Sequence, residues 1–241
     1  MHLWILLILF FVLQCVFTPL FLKASWPNRT TKSHCLKMVC ATLFVSTGLL
    51  SMTISSNFTS FARVMIIGLV LGWIGDLFLH FDGKVGFGIG FVAFLAGHIV
   101  YIKNYMDCLS SYEGYNHFNV IEIAFFIVLL VVSFIVFKKF KMEFSTKLLK
   151  IAVIAYTIIL VLMFIKATSL GINHYLSGAE GGIGAVLTLF FGGLFFVASD
   201  GTIGILMFGG QKRNRPLKIF NIATYFAGQM LLALSILFVK A

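Results

Sequence analysis

Gly68-Leu69-Val70-Leu71-Gly72-Trp73-Ile74-Gly75-Asp76 is an apolar, glycine-spaced run that ends on a carboxylate, and Gly192-Gly193-Leu194-Phe195-Phe196-Val197-Ala198-Ser199-Asp200 repeats the design later in the chain. Neither run carries a charge before its aspartate, so both read as parts of membrane-spanning helices. A carboxylate at the bilayer centre costs roughly 2.5 to 3.5 kcal/mol on insertion scales. Each aspartate therefore needs a partner, a proton or a use.

The rest of the chain fits that reading. Of 241 residues, 60% are hydrophobic and 11% charged, with a mean hydropathy of +1.04, whereas a soluble domain carries about 25% charged residues. With only 3 prolines and no long polar stretch, the chain reads as one integral membrane domain over residues 1–241. The expected fold class is all-α, a polytopic bundle of eight transmembrane helices near 3–22, 35–54, 61–81, 85–102, 120–137, 148–165, 183–208 and 217–239. The first lacks a basic leading segment and is followed by Lys23, Arg29, Lys32 and Lys37, so it reads as a retained helix rather than a signal peptide.

Charge fixes an expected orientation. Alternate connections hold Lys23, Arg29, Lys32 and Lys37, then Lys84, then Lys138, Lys139, Lys141, Lys147 and Lys150, then Lys212, Arg213, Arg215 and Lys218; the others hold only Arg63, Lys103 and Lys166. The lysine-rich end is expected in the cytoplasm and both termini on the other side. That clustering between apolar runs also accounts for the net charge of +10 without nucleic acid. Asn57-Phe58-Thr59 falls outside but too near the membrane for a good glycan site. Cys15, Cys35, Cys40 and Cys108 show no metal or disulfide spacing and read as small buried hydrophobes.

Counting at about 1.5 Å per residue from the lysine-rich ends places Asp76 about 9 Å deep, Asp200, Tyr156, Tyr225 and Gln14 about 12 Å, and His98 about 14 Å if its helix is regular from Ile89. Six polar side chains on six helices at one depth suggest the wall of a cavity. Each has a plainer reading. The aspartates could bridge helices, His98 could be a satisfied core residue, Tyr156 and Tyr225 could pack with bonded hydroxyls, and Gln14 and Gln229 could link helices. Lys37 could snorkel or hold a lipid phosphate. A metal held by Asp76, His80, His98 and Asp200 is the alternative, although no tight ligand motif supports it; the expected metal is none.

These stretches, with Gly97-His98-Ile99-Val100-Tyr101 and Thr224-Tyr225-Phe226-Ala227-Gly228-Gln229-Met230-Leu231, resemble the YhhN-type lysoplasmalogenases, small eight-helix membrane enzymes. The likeness spans roughly residue 37 to the C-terminus. It implies that Asp76 and Asp200 are catalytic and that Lys37, His98, Tyr101, Tyr225 and Gln229 bind or orient the substrate, with Tyr156 joining them from the depth count. Met38 stands where the family often has proline.

The resemblance implies hydrolysis of the vinyl ether of a lysoplasmalogen to a fatty aldehyde and glycerophosphoethanolamine or glycerophosphocholine. Such an ether yields when its distal alkene carbon is protonated, giving an oxocarbenium ion that water captures. Two carboxyls suit this chemistry, one as acid and one as ionised stabiliser, as in glycosidases. Asp200 is taken as the acid and Asp76 as its partner, an order that could be reversed. No cofactor is expected; the partners are the lipid bilayer and the lysophospholipid, with a homodimer left open. The expected home is the endoplasmic reticulum membrane in a eukaryote or the inner membrane in a bacterium, with the site nearer the cytoplasmic leaflet. Competing classes are an ion-coupled transporter, for which Gly192-Gly193 or Gly201 could break a helix, and a hydrolase of another lipid bond.

Overall fold

Helix starts are written locally into the chain. Thr30, Thr59, Asn119, Thr146 and Asn214 each accept a hydrogen bond from a backbone N–H of the helix that follows, satisfying donors that a helix end leaves bare. The computed structural model describes residues 2–79, 81, 83–117 and 119–240. Its elements are α1 (His2–Ala24), α2 (Thr31–Ile54), α3 (Ser60–Phe78), α4 (Lys84–Leu109), α5 (Val120–Lys139), α6 (Lys147–Leu176), α7 (Gly182–Phe208) and α8 (Arg215–Leu234), then a 3-10 turn over Ser235–Leu237. All eight helices are long and apolar enough to cross a membrane, and there is no strand among the described residues.

Six helices close a ring. In order around it, α2 packs on α3, α3 on α4, α4 on α6, α6 on α7, α7 on α8, and α8 on α2. The remaining two lie outside, α1 against α2 and α8, and α5 chiefly against α6. α5 has no buried residue, as expected of a helix that faces lipid nearly all round. Glycines set the closest approaches. A Cβ on Gly228 would lie 3.0 Å from the Gly192 carbonyl oxygen, and one on Gly171 2.9 Å from the Val186 Cα, so α8–α7 and α6–α7 meet backbone to backbone.

Several boundaries differ from the sequence expectation. α4 continues past 102 to Leu109 and α6 past 165 to Leu176. The lysines that appeared to end these spans do not, because the polar groups beyond them find partners. Asn104 Nδ2 donates to the Phe61 carbonyl at 3.0 Å, and Lys166 meets Glu122 at 2.6 Å. α3 stops at Phe78, so Asp76 sits in its last turn instead of about 9 Å in. α4 is helical from Lys84, not from Ile89; Gly83, at φ +119°, supplies the turn into it. α7 runs unbroken through Gly192, Gly193 and Gly201, so the helix break that would have suited a transporter is absent there.

Asn57 is buried, its amide donating to the carbonyls of Ile236 (2.9 Å) and Val239 (2.6 Å), which leaves it no room for a glycan. Cys40 and Cys108 are buried as expected, but Cys15 and Cys35 are exposed on the outer faces of their helices, where their modest size and polarity suit lipid contact.

Candidate active site

Every helix of the ring contributes one polar side chain to a single layer: Lys37 from α2, Asp76 from α3, His98 from α4, Tyr156 from α6, Asp200 from α7 and Tyr225 from α8. Their bonds define two clusters. In the first, Lys37 Nζ lies 2.9 Å from Asp76 Oδ1 and also donates to the Asp76 carbonyl at 3.0 Å, while the Tyr225 hydroxyl donates to Asp76 Oδ2 at 2.7 Å. Gln229 Nε2 donates to the Tyr225 oxygen at 3.2 Å. In the second, the Tyr156 hydroxyl donates to Asp200 Oδ2 at 2.5 Å, and His98 Nε2 lies 3.0 Å from the Tyr156 oxygen and 3.6 Å from Asp200 Oδ2.

The glycine approach to Asp76 now has a physical reason. A Cβ on Gly75 would lie 2.5 Å from the Phe94 ring, one on Gly72 2.7 Å from Gln229 Nε2, and one on Gly68 would strike the Tyr101 ring. Gly72 and Gly75 clear space for side chains beside the aspartate, and Gly68 for the Tyr101 ring further along α4. Aromatic rings fill the interior between the clusters. Phe44, Phe94 and Phe196 pack edge-on to Tyr225 with centroids 6.4, 5.9 and 5.7 Å away, and Phe196 also meets His98 at 4.8 Å. Phe196 thus joins the two halves.

The aspartates are held differently. Both oxygens of Asp76 receive donors, one of them an ammonium, and its side chain is 3% exposed. Both contacts favour the charged form of that carboxyl. Among the described residues Asp200 accepts at Oδ2 and at no other atom, and the side chain keeps 12% of its surface. It can carry a proton on Oδ1 while Oδ2 accepts from Tyr156. With Tyr156 donating to Asp200, the Tyr156 oxygen accepts from His98 Nε2–H. His98 Nδ1 is buried and has no hydrogen-bond partner among the described residues.

Of the residues expected from sequence, Lys37, Asp76, Tyr225 and Gln229 meet in one cluster and His98, Tyr156 and Asp200 in the other. Tyr101 does not join them: it is buried, stacks on Tyr105 at 6.1 Å, and its hydroxyl has no partner. Gln14, expected in the layer, bonds instead to Thr18 at 3.0 Å on α1, outside the ring; Lys37 takes its place. Lys37 Nζ lies on Asp76, 2.9 Å from Oδ1. Sequence reading missed Asn221, whose amide bonds the Ser199 carbonyl at 2.8 Å and hydroxyl at 2.9 Å and so ties α8 to α7 beside Asp200. Its place one turn before Tyr225 on an apolar helix was the available signal.

Among the described residues no three His, Cys, Asp or Glu side chains converge to hold a metal ion. His80, the remaining member of the metal alternative, lies outside the described residues. No curated protein and no solved structure matches the chain. The family model that does match is described as the YhhN family and covers residues 29–236. Matched from the capped start of α2 to the 3-10 turn after α8, through every helix of the ring, the chain belongs to the YhhN family.

Proposed function

We propose that this protein is a lysoplasmalogenase, a hydrolase that cleaves the vinyl ether of a lysoplasmalogen to a fatty aldehyde and a glycerophosphoethanolamine or glycerophosphocholine. Family membership supports a reaction of this class, and the unequal surroundings of the two aspartates carry the mechanism. Asp200, with one oxygen open, is the general acid. Asp76, held between the Lys37 ammonium and the Tyr225 hydroxyl, is the fixed carboxylate.

The alkenyl chain enters the ring beside Phe44, Phe94 and Phe196, whose rings part to admit it. Asp200 Oδ1 gives its proton to the distal alkene carbon, and the positive charge falls on the ether carbon and oxygen. The negative charge on Asp76 and the newly formed Asp200 carboxylate, in a setting of low dielectric, stabilise that oxocarbenium ion. Water adds to the cationic carbon, oriented in this reading by His98, and its proton returns to Asp200. The resulting hemiacetal breaks its carbon–oxygen bond to release aldehyde and glycerol hydroxyl. One water is consumed, and neither an oxidant nor a cofactor takes part.

The lysine-rich end faces the cytoplasm in this reading, because basic loops are retained there. The membrane is the endoplasmic reticulum in a eukaryote or the inner membrane in a bacterium. Aldehyde release from a defined lysoplasmalogen by the purified protein tests the proposal. Release should be present in the wild type and fall by about 10²- to 10⁴-fold in Asp200→Asn. No aldehyde from active, folded wild-type protein, or ion flux in liposomes without lipid turnover, would refute it.

A further inference from the structure

A cavity outside the ring collects cations that the mechanism does not use. It has a volume of about 270 Å³ and lies where the end of α1 meets the start of α8. Lys23, Arg215 and Lys218 line it, together with Trp26 and the apolar Pro19 and Leu22, and no carboxylate does. Lys218 is fixed from below: its ammonium donates to the Ser25 carbonyl at 2.6 Å and stands 5.6 Å over the Trp26 ring. Lys23 and Arg215 are exposed, and their charged ends have no hydrogen bond or ion pair among the described residues.

Three cations above apolar walls and an indole match one chemistry, a phosphodiester attached to hydrocarbon. The guanidinium and ammonium groups suit phosphate oxygens, while Trp26 and the apolar walls suit the glycerol and first methylenes at the membrane surface. Lys37 cannot serve this purpose, because its ammonium is committed to Asp76. Lys218 stands seven residues before Tyr225 on α8, two turns and about 10 Å along the same face. A headgroup in this cavity is therefore held near the level from which a chain can reach the ring.

We infer that the α1–α8 cavity binds the phosphodiester of a phospholipid headgroup through Lys23, Arg215 and Lys218. The inference does not need the proposed reaction, since it rests on a cavity that none of the reacting groups lines.

Native mass spectrometry of the full chain in dodecyl maltoside, a detergent without phosphate, tests it. The probes are lysophosphatidylethanolamine, a diacyl phosphatidylethanolamine, monoacylglycerol and inorganic phosphate. The wild type should retain the phospholipids in preference to monoacylglycerol, and inorganic phosphate should not displace them. Lys23→Gln/Arg215→Gln should lose about tenfold of that preference per cation removed, whereas Lys23→Arg/Arg215→Lys should keep it. Undiminished preference in the double glutamine variant would overturn the assignment, as would displacement by inorganic phosphate, which would mark a soluble-anion site. A raised KM for lysoplasmalogen at unchanged kcat in the glutamine variant would identify the bound lipid as substrate; an unchanged KM would identify it as a bilayer lipid. Wild-type protein that retains phospholipid in this way but releases no aldehyde would sink the proposed reaction and leave the cavity's assignment standing.

Discussion

Two lysine–carboxylate pairs lie inside this protein at opposite ends of the helices, and they are built from the same parts. Lys37 meets Asp76 at 2.9 Å with the Tyr225 hydroxyl on the second oxygen. Lys166 meets Glu122 at 2.6 Å, with the hydroxyls of Tyr115 and Ser169 both 2.5 Å from the second oxygen. Their burial is alike, with side chains 15% and 3% exposed in the first pair and 3% and 10% in the second. The difference lies in what stands next to them. Lys166 also donates to the His117 carbonyl at 2.6 Å and to the Tyr115 oxygen at 3.2 Å, so that network is saturated. The Asp76 pair adjoins, across Phe196, an aspartate with an open oxygen. A buried ion pair by itself marks strain that has been neutralised; chemistry needs a neighbour left incomplete.

The far pair has a clear structural task. α5 packs chiefly on α6 and buries none of its own residues, so Glu122 and the loop carrying Tyr115 supply its polar anchor. Burial, and then the bond to Glu122, raise the Tyr115 phenol above its ordinary range, which keeps it a donor. Nearby, Tyr112 bonds His174 Nδ1 at 2.7 Å, and His174 Nε2 reaches the Phe238 carbonyl at 3.0 Å. This end is a clamp that joins α6, the loop after α4 and the C-terminal turn.

The two ends should therefore respond differently to the same substitution. Lys37→Met is expected to have the largest effect: it leaves Asp76 an uncompensated buried charge, lowers stability by about 3–5 kcal/mol and removes most aldehyde release. Thermal unfolding in detergent and turnover per folded molecule check both parts. Lys166→Met should lower stability by a similar amount, about 3–5 kcal/mol, while turnover per folded molecule stays near wild type. Loss of turnover at full folded yield in Lys166→Met would erase the distinction between the ends. Tyr156→Phe removes one donor from Asp200 and the acceptor of the buried His98 Nε2–H, and the expected loss is about tenfold in kcat with about 1–3 kcal/mol of stability.

Much of the near site was legible in the sequence, because a carboxylate in an apolar helix is conspicuous wherever it sits. Asp76 and Asp200 stood out at once, and the expected group around them survives as Lys37, His98, Tyr156, Tyr225 and Gln229. The far clamp was not legible. Lys166 and Lys103 looked like the ends of spans, since hydropathy records a charge but not the partner that makes it tolerable in a helix interior. α6 gains its last three turns only because Lys166 and His174 are satisfied by groups distant in the chain, Glu122, His117, Tyr112 and Phe238. Depth counting likewise found a real layer with a wrong member. It assumed that helices start level with one another, whereas α3 ends early and α4 begins early, so contacts and not counts admit Lys37 and exclude Gln14. The roles proposed for the two aspartates rest on how many donors each receives.

The central claim is that Asp200 supplies the proton that reaches the alkene carbon. Hydrolysis of a lysoplasmalogen in D₂O, with the aldehyde trapped by reduction as it forms, tests this directly when wild type and Asp200→Asn are run side by side. The account predicts a single deuterium on the carbon next to the former carbonyl in the wild-type product, and a loss of turnover in Asp200→Asn while Asp200→Glu retains part of it. Aldehyde without that deuterium, or undiminished turnover in Asp200→Asn, would contradict it.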